Sequence, residues 1–129
     1  MPGGLHIMDM YTENIIDLYK NPRNKGTLEN PTHQNSRNNP LCGDEITIQL
    51  ITDNNNIKEV KFSGQGCAIS QASSSMLTDK IKNMNVEDIK NLNKEDILEL
   101  LHIPISPGRL KCALLCLDTL KGALENARN

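Results

Sequence analysis

The chain has 129 residues, of which 37% are hydrophobic, so it is long enough for one domain with a modest core. A net charge of −2 and only three aromatic residues (two Tyr and one Phe) argue against a nucleic-acid partner, which needs a basic surface and stacking platforms. Because it has no apolar run near the roughly 18 residues of a membrane helix and no targeting signal at its start, we expect a cytoplasmic protein without a membrane partner.

The N-terminal part of the chain combines one helical pattern with a long irregular one. We predict a flexible segment over residues 1–8, followed by a single domain over residues 9–129. Apolar residues at helical spacing predict a first helix over residues 9–20, which ends before Pro22. Residues 23–40 are rich in Asn, Pro and Thr and have no apolar period, so we interpret them as a long loop with room for a short edge strand.

The middle of the chain has the alternating pattern of a β-hairpin. We predict strands over residues 45–52 and 57–62, joined by an Asn-rich turn. Residues 64–67, which include two glycines, are interpreted as a tight bend. The apolar residues of the two strands share one face of the hairpin: Ile46, Ile48, Leu50, Val60 and Phe62.

The C-terminal half is predicted to be helical. Asn85 and Asn93 are candidate N-caps, and Ser106-Pro107 is a strong helix start. The predicted helices cover residues 68–83, 86–92, 94–101 and 107–126.

The cysteines are the residues most able to carry chemistry. In a cytosolic protein, four cysteines indicate metal binding or catalysis more than disulfides, and the absence of a Cys-x-x-Cys pair argues against zinc ribbons and thioredoxin-type sites. Cys42, Cys67 and Cys112 lie at predicted junctions between elements, which can meet at one end of the domain. With Asp44 they make a four-ligand set that suits zinc or iron.

Other roles stay open for these residues. A free cysteine is often a small buried hydrophobe, and we assign that role to Cys116, which lies among leucines. Cys67 precedes a helix, whose dipole favours a thiolate, and Cys112 has Lys111 and Arg109 nearby.

Four motifs identify a family. Their order and spacing over residues 9–126 resemble the U-type iron–sulfur scaffold family, which includes the N-terminal domain of the nitrogen-fixation scaffold. The motifs are YKNPRNKG (19–26), NPLCGD (39–44), GQGCAISQASSSM (64–76) and RLKCAL (109–114).

The resemblance implies a fold, a function and partners. The fold is α+β, with a small antiparallel sheet and helices packed on one of its faces. A cysteine desulfurase delivers sulfur, iron arrives separately, and a [2Fe-2S] cluster is built on Cys42, Cys67 and Cys112 beside Asp44, then passed to acceptor apoproteins. Such a chain is more a non-enzymatic scaffold than an enzyme, and a homodimer is possible.

Two departures from the family pattern keep a second hypothesis open. Lys111 stands where many cluster scaffolds have His, and Lys-Cys is typical of a branch that holds zinc and acts as a sulfur acceptor, or sulfurtransferase. That branch has a longer segment between its second and third cysteines, whereas Cys67 and Cys112 are only 45 residues apart. Residues 105–109 replace the family's chaperone-binding segment, so a dedicated chaperone is not expected.

The resemblance also implies individual roles. In cluster scaffolds the persulfide acceptor is the third cysteine, here Cys112, and in the zinc branch it is the first, here Cys42. Tyr11 matches a tyrosine that assists dimerisation and persulfide reduction, and Lys111 and Arg109 are possible auxiliary residues.

Overall fold

The computed structural model describes residues 7–125. The flexible segment predicted over residues 1–8 therefore lies outside the description, except for its last two residues, which belong to the first helix. The helices are α1 (Ile7–Lys20), α2 (Ala68–Lys80), α3 (Val86–Lys90), α4 (Lys94–Leu101) and α5 (Pro107–Glu125). The strands are β1 (His33–Asn39), β2 (Asp44–Asp53) and β3 (Asn56–Gln65).

The three strands form one antiparallel sheet in the order β1-β2-β3. The predicted hairpin is present as β2 and β3, and its alternating apolar side chains are buried beneath α2 and α5. Ile46, Ile48 and Leu50 are fully buried, as the period of two requires for one face of a strand. The α+β fold class is therefore confirmed.

The edge strand for which residues 23–40 leave room is present as β1, which occupies seven of these residues, so the loop itself is shorter than expected. This strand has no apolar alternation, so its sequence lacks the usual signal of a strand. Its side chains are polar, and Asn35 uses this on the side that faces α5: its Nδ2 donates to the carbonyl oxygen of Thr119 at 3.2 Å. The backbone of β1 pairs with that of β2 along the whole strand.

The predicted bend over residues 64–67 is also wrong in part, because β3 continues to Gln65. Gly64 lies within the strand at φ +116°, in the region that favours glycine. A Cβ atom at this position would overlap the carbonyl oxygen of Glu45 on the neighbouring strand. Gly64 therefore allows β2 and β3 to stay paired up to the end that carries Asp44.

We expect Gly64→Ala to lower the free energy of unfolding by about 2–5 kcal/mol, since it combines backbone strain with a steric clash. Gly108→Ala is the matched control, because a Cβ there meets nothing within 4 Å. In urea denaturation the control should stay within about 1 kcal/mol of the native chain. A Gly64→Ala variant as stable as the control would contradict this explanation.

Helix α2 lies at the centre of the helical layer, against α1, α4 and α5. Its buried face is formed largely by hydroxyl side chains, which bond to carbonyls of their own helix; the Oγ atoms of Ser73 and Ser74 both donate to the carbonyl oxygen of Ser70. Small side chains satisfied in this way let neighbouring helices approach closely.

Several helix boundaries differ from the predicted ones by a few residues. Helix α2 ends at Lys80 and α3 at Lys90, earlier than expected, whereas α4 has the predicted bounds. The candidate N-caps are present: the side chains of Asn85 and Asn93 accept hydrogen bonds from Glu87 and Asp96 backbone amides. The predicted end of α5 at residue 126 lies outside the described residues. Within residues 7–125, no helix is both long and apolar enough to span a membrane.

Candidate metal centre

The turn between β1 and β2 positions two of the predicted ligand residues. The carbonyl oxygen of Asn39 accepts hydrogen bonds from the backbone amides of Cys42 (3.1 Å) and Gly43 (2.9 Å), which closes the turn. Cys42 is exposed on this turn, whereas Asp44, the first residue of β2, is only 1% exposed. The turn thus presents a thiol to solvent and a carboxylate to the interior.

Helix α5 brings Cys112 to the same place. Cys112 is 1% exposed, and its Sγ atom donates to Cys42 Sγ at a distance of 3.3 Å. One ligand atom from each of Cys42, Asp44 and Cys112 lies within 4.8 Å of the other two. Three of the four residues proposed as ligands from the sequence are therefore close enough to share one ion.

Cys67 is the fourth proposed ligand. Its backbone lies next to the group, but its Sγ atom is not one of the ligand atoms that lie within 4.8 Å of one another. It is the N-cap of α2 and is half-buried. Its backbone amide donates to Asp44 Oδ1 at 3.0 Å. A Cβ atom on the preceding Gly66 would lie 2.6 Å from the same oxygen, so only glycine leaves room for the Asp44 carboxylate here.

The donor atoms fit a thiophilic metal. Asp44 Oδ2 is buried and has no hydrogen-bond partner among the described residues. An unpaired buried carboxylate oxygen is costly, and a cation would satisfy it. Thiolates suit zinc and iron–sulfur clusters, and a carboxylate completes a mixed set of hard and soft ligands.

Burial raises the pKa of the Cys112 thiol, and the neighbouring Asp44, Cys42 and Cys67 side chains raise it further. Cys112 is therefore a protonated thiol at neutral pH when no metal is bound. Because a metal binds the thiolate, loading the centre must release this proton.

Cys116 has the packing role expected from its sequence context. It belongs to the hydrophobic core cluster, and its Sγ donates to the carbonyl oxygen of Ala113 at 3.6 Å. Burial raises the pKa of its thiol to about 11.

We expect iodoacetamide at pH 8 to modify Cys42 quickly in the metal-free chain and to leave Cys116 unmodified. With a pKa of about 11, roughly one Cys116 thiol in a thousand is ionised at this pH, and the side chain is buried as well. Peptide mass spectrometry measures both rates, and denatured protein, in which both thiols react, is the control. Equal rates in the folded chain would contradict the assignment.

The three auxiliary residues have different surroundings. Lys111 and Arg109 are exposed at the start of α5, and neither forms an ion pair within residues 7–125. Lys111 lines an open cleft of about 300 Å³ next to Asn39. Tyr11 stacks on His102, with ring centroids 4.4 Å apart, which joins α1 to the end of α4.

Asn39 and Gly66 are site residues that the sequence reasoning did not single out. Both lie inside the motifs quoted above, so the signal available was their position next to Cys42 and Cys67.

Comparison with known proteins gives a consistent set of relatives. The family model described as the NifU-like N-terminal domain matches residues 10–129. The zinc-dependent sulfurtransferase SufU of Bacillus subtilis is 46% identical over 77 residues, which cover 60% of this chain and 52% of that protein, so the match spans about half of that relative's length. The iron–sulfur cluster assembly scaffold protein IscU of Haemophilus influenzae is 34% identical over 120 residues, which cover 90% of this chain and 94% of that protein.

A solved structure agrees with these relatives. It belongs to a candidate iron–sulfur cluster assembly scaffold protein for the SUF system from Fervidobacterium islandicum. It superposes with a TM-score of 0.77 at 31% identity, over 94% of this chain and 99% of that one.

Proposed function

This chain belongs to the NifU-like N-terminal domain family, and on that premise we propose that it is a scaffold on which iron–sulfur clusters are assembled. The observation that carries the proposal is the group formed by Cys42, Asp44 and Cys112, which combines two thiols with a buried, unpartnered carboxylate oxygen. A cluster is cargo for such a protein, so its ligands must both hold it and let it go.

The ligand set suits this double task. Thiolates bind iron strongly, whereas a carboxylate is a harder ligand that exchanges more easily. We assign Cys42, Cys112 and Asp44 as ligands, with Cys67 as the third thiolate. The hydrogen bond from the Cys67 backbone amide to Asp44 keeps Cys67 next to the other ligands. We propose that its sulfur joins them through a change of side-chain rotamer.

Sulfur arrives as a persulfide from a cysteine desulfurase in this proposal. The thiolate of the scaffold attacks the outer sulfur of the donor persulfide; the donor's S–S bond breaks, its cysteine leaves as a thiolate, and a persulfide forms on the scaffold. The family resemblance implies Cys112 as the acceptor in cluster scaffolds. The exposure of Cys42 and the burial of Cys112 favour Cys42 as the first acceptor, because only an exposed sulfur can meet a donor on another protein.

The zinc-dependent sulfur acceptor is the alternative function. It is supported by Lys111 before the third cysteine and by the match to SufU, but that match covers only 60% of this chain. The IscU relative matches 90% of the chain. The breadth of the second match favours the scaffold.

Cluster assembly and release can be followed together under anaerobic conditions. The chain is incubated with a cysteine desulfurase, cysteine and ferrous iron, and then with an apo-ferredoxin. We expect sulfur-to-iron absorption to develop on the chain and then to move to the ferredoxin. Cys116→Ala, whose change lies in the core outside the group, is the control and should behave like the native chain. Absence of cysteine-dependent absorption, or a cluster that never leaves, would contradict the proposal.

A further inference from the structure

The amide side chain of Asn39 contacts both the turn that carries Cys42 and the sulfur of Cys112 on α5. Asn39, the last residue of β1, is only 7% exposed and pairs with Asp44 across the β1–β2 ladder. A buried polar side chain at this position needs partners, and it finds them on the Cys42 turn and on α5.

The oxygen side of Asn39 organises the turn. Its Oδ1 accepts a hydrogen bond from the Leu41 backbone amide at 3.3 Å. Its carbonyl oxygen accepts those of Cys42 and Gly43. Side-chain oxygens of asparagine commonly stabilise turns in this way. The side chain of Asn39 thus adds one hydrogen bond to the turn that carries Cys42, beside the two that its backbone carbonyl accepts.

The amide nitrogen of Asn39 faces the sulfur of Cys112. Nδ2 donates to Cys112 Sγ at 4.0 Å, a long contact that a sulfur acceptor permits. A hydrogen-bond donor next to a thiolate stabilises its negative charge. Hydrogen bonds to ligand atoms also orient them, and those to sulfur change the reduction potential of iron–sulfur clusters.

We propose that Asn39 is a positioning residue of the metal centre, which fixes the Cys42 turn through its oxygen and orients the Cys112 sulfur through its amide nitrogen. The inference rests on the proposed function for the identity of the cargo. It concerns how the sulfurs are held, and it is therefore testable with a simpler probe than a cluster.

The test uses Co²⁺ under anaerobic conditions, because cobalt–thiolate absorption reports on the sulfur ligands directly. Asn39→Asp keeps the size of the side chain and the acceptor for the turn, but replaces the amide donor by a carboxylate. We expect it to shift the cobalt–thiolate band, and we expect Asn39→Ser, which adds no carboxylate, to bind Co²⁺ about ten- to a hundredfold more weakly, the usual effect of losing a partner of a metal ligand. Asn38→Asp adds the same charge at an exposed neighbouring position and should change neither.

A second variant separates positioning from folding. Asn39→Ser retains a turn acceptor but is too short to reach Cys112, so it should show the same band shift while its melting temperature stays near that of Asn38→Asp. Band positions and affinities in both Asn39 variants equal to those of Asn38→Asp would overturn the inference. If the native chain binds Co²⁺ through thiolates and the Asn39 variants shift the band, the inference stands even where no cluster forms, so failure of the scaffold function is distinguishable.

Discussion

A cluster assembled on an Asp44→Ala variant is expected to persist about tenfold longer than one on the native chain, which corresponds to ~1.4 kcal/mol in the barrier to release. Asp44 is the only carboxylate in the group of ligand atoms, and its Oδ2 has no protein partner within the described residues. A carboxylate that exchanges readily offers a route for release. Its removal leaves the slower thiolates as the cluster's protein ligands.

The lifetime is measured as the decay of visible absorption after an apo-ferredoxin is added. Glu45→Ala is the matched control, because Glu45 is the next residue along β2 and its carboxylate is exposed, away from the group. It should release the cluster at the native rate. Equal or faster loss from Asp44→Ala would contradict the role proposed for the carboxylate.

The second large effect concerns the thiol that first accepts sulfur. We expect Cys42→Ser to lower persulfide formation by at least about a hundredfold, because the exposed nucleophile is removed and serine is a far weaker one at neutral pH. Cys112→Ser should retain most of the uptake, since Cys112 is only 1% exposed.

The amount of persulfide is read from the intact mass of the chain after incubation with a cysteine desulfurase and cysteine. Cys116→Ala again serves as the control, with uptake like that of the native chain. The reverse pattern, in which Cys112→Ser abolishes uptake and Cys42→Ser keeps it, would show that Cys112 is the acceptor and that the site opens when the donor docks.

Much of the fold could be predicted from local patterns. Strands β2 and β3 follow from their alternating apolar residues, and the starts of α3 and α4 follow from their asparagine N-caps. Strand β1 could be located only loosely, because its residues are polar and show no apolar alternation; Asn35, for example, bonds to the backbone of α5. The bend predicted over residues 64–67 is wrong for Gly64, because glycine also occurs within strands where two backbones approach closely.

The metal centre, like the fold, could be predicted only in part from the sequence. Residue type and position at the ends of elements were enough to single out Cys42, Asp44 and Cys112, which the structure brings within 4.8 Å of one another. The Cys67 sulfur lies outside this group although its backbone amide bonds to Asp44, and sequence spacing does not specify where a side chain points. Asn39 could not be found in this way, because an asparagine in an Asn-rich segment looks like any other turn residue until its partners are known.

The most direct test of the scaffold assignment is the content of the loaded chain. After anaerobic incubation with a cysteine desulfurase, cysteine and ferrous iron, the chain is desalted, and iron, zinc and acid-labile sulfide are quantified per chain. We predict iron and sulfide in equal amounts, with little zinc. About one zinc per chain that iron does not displace, as in a closed tetrahedral site, with no labile sulfide, would contradict the scaffold and identify a sulfur acceptor instead.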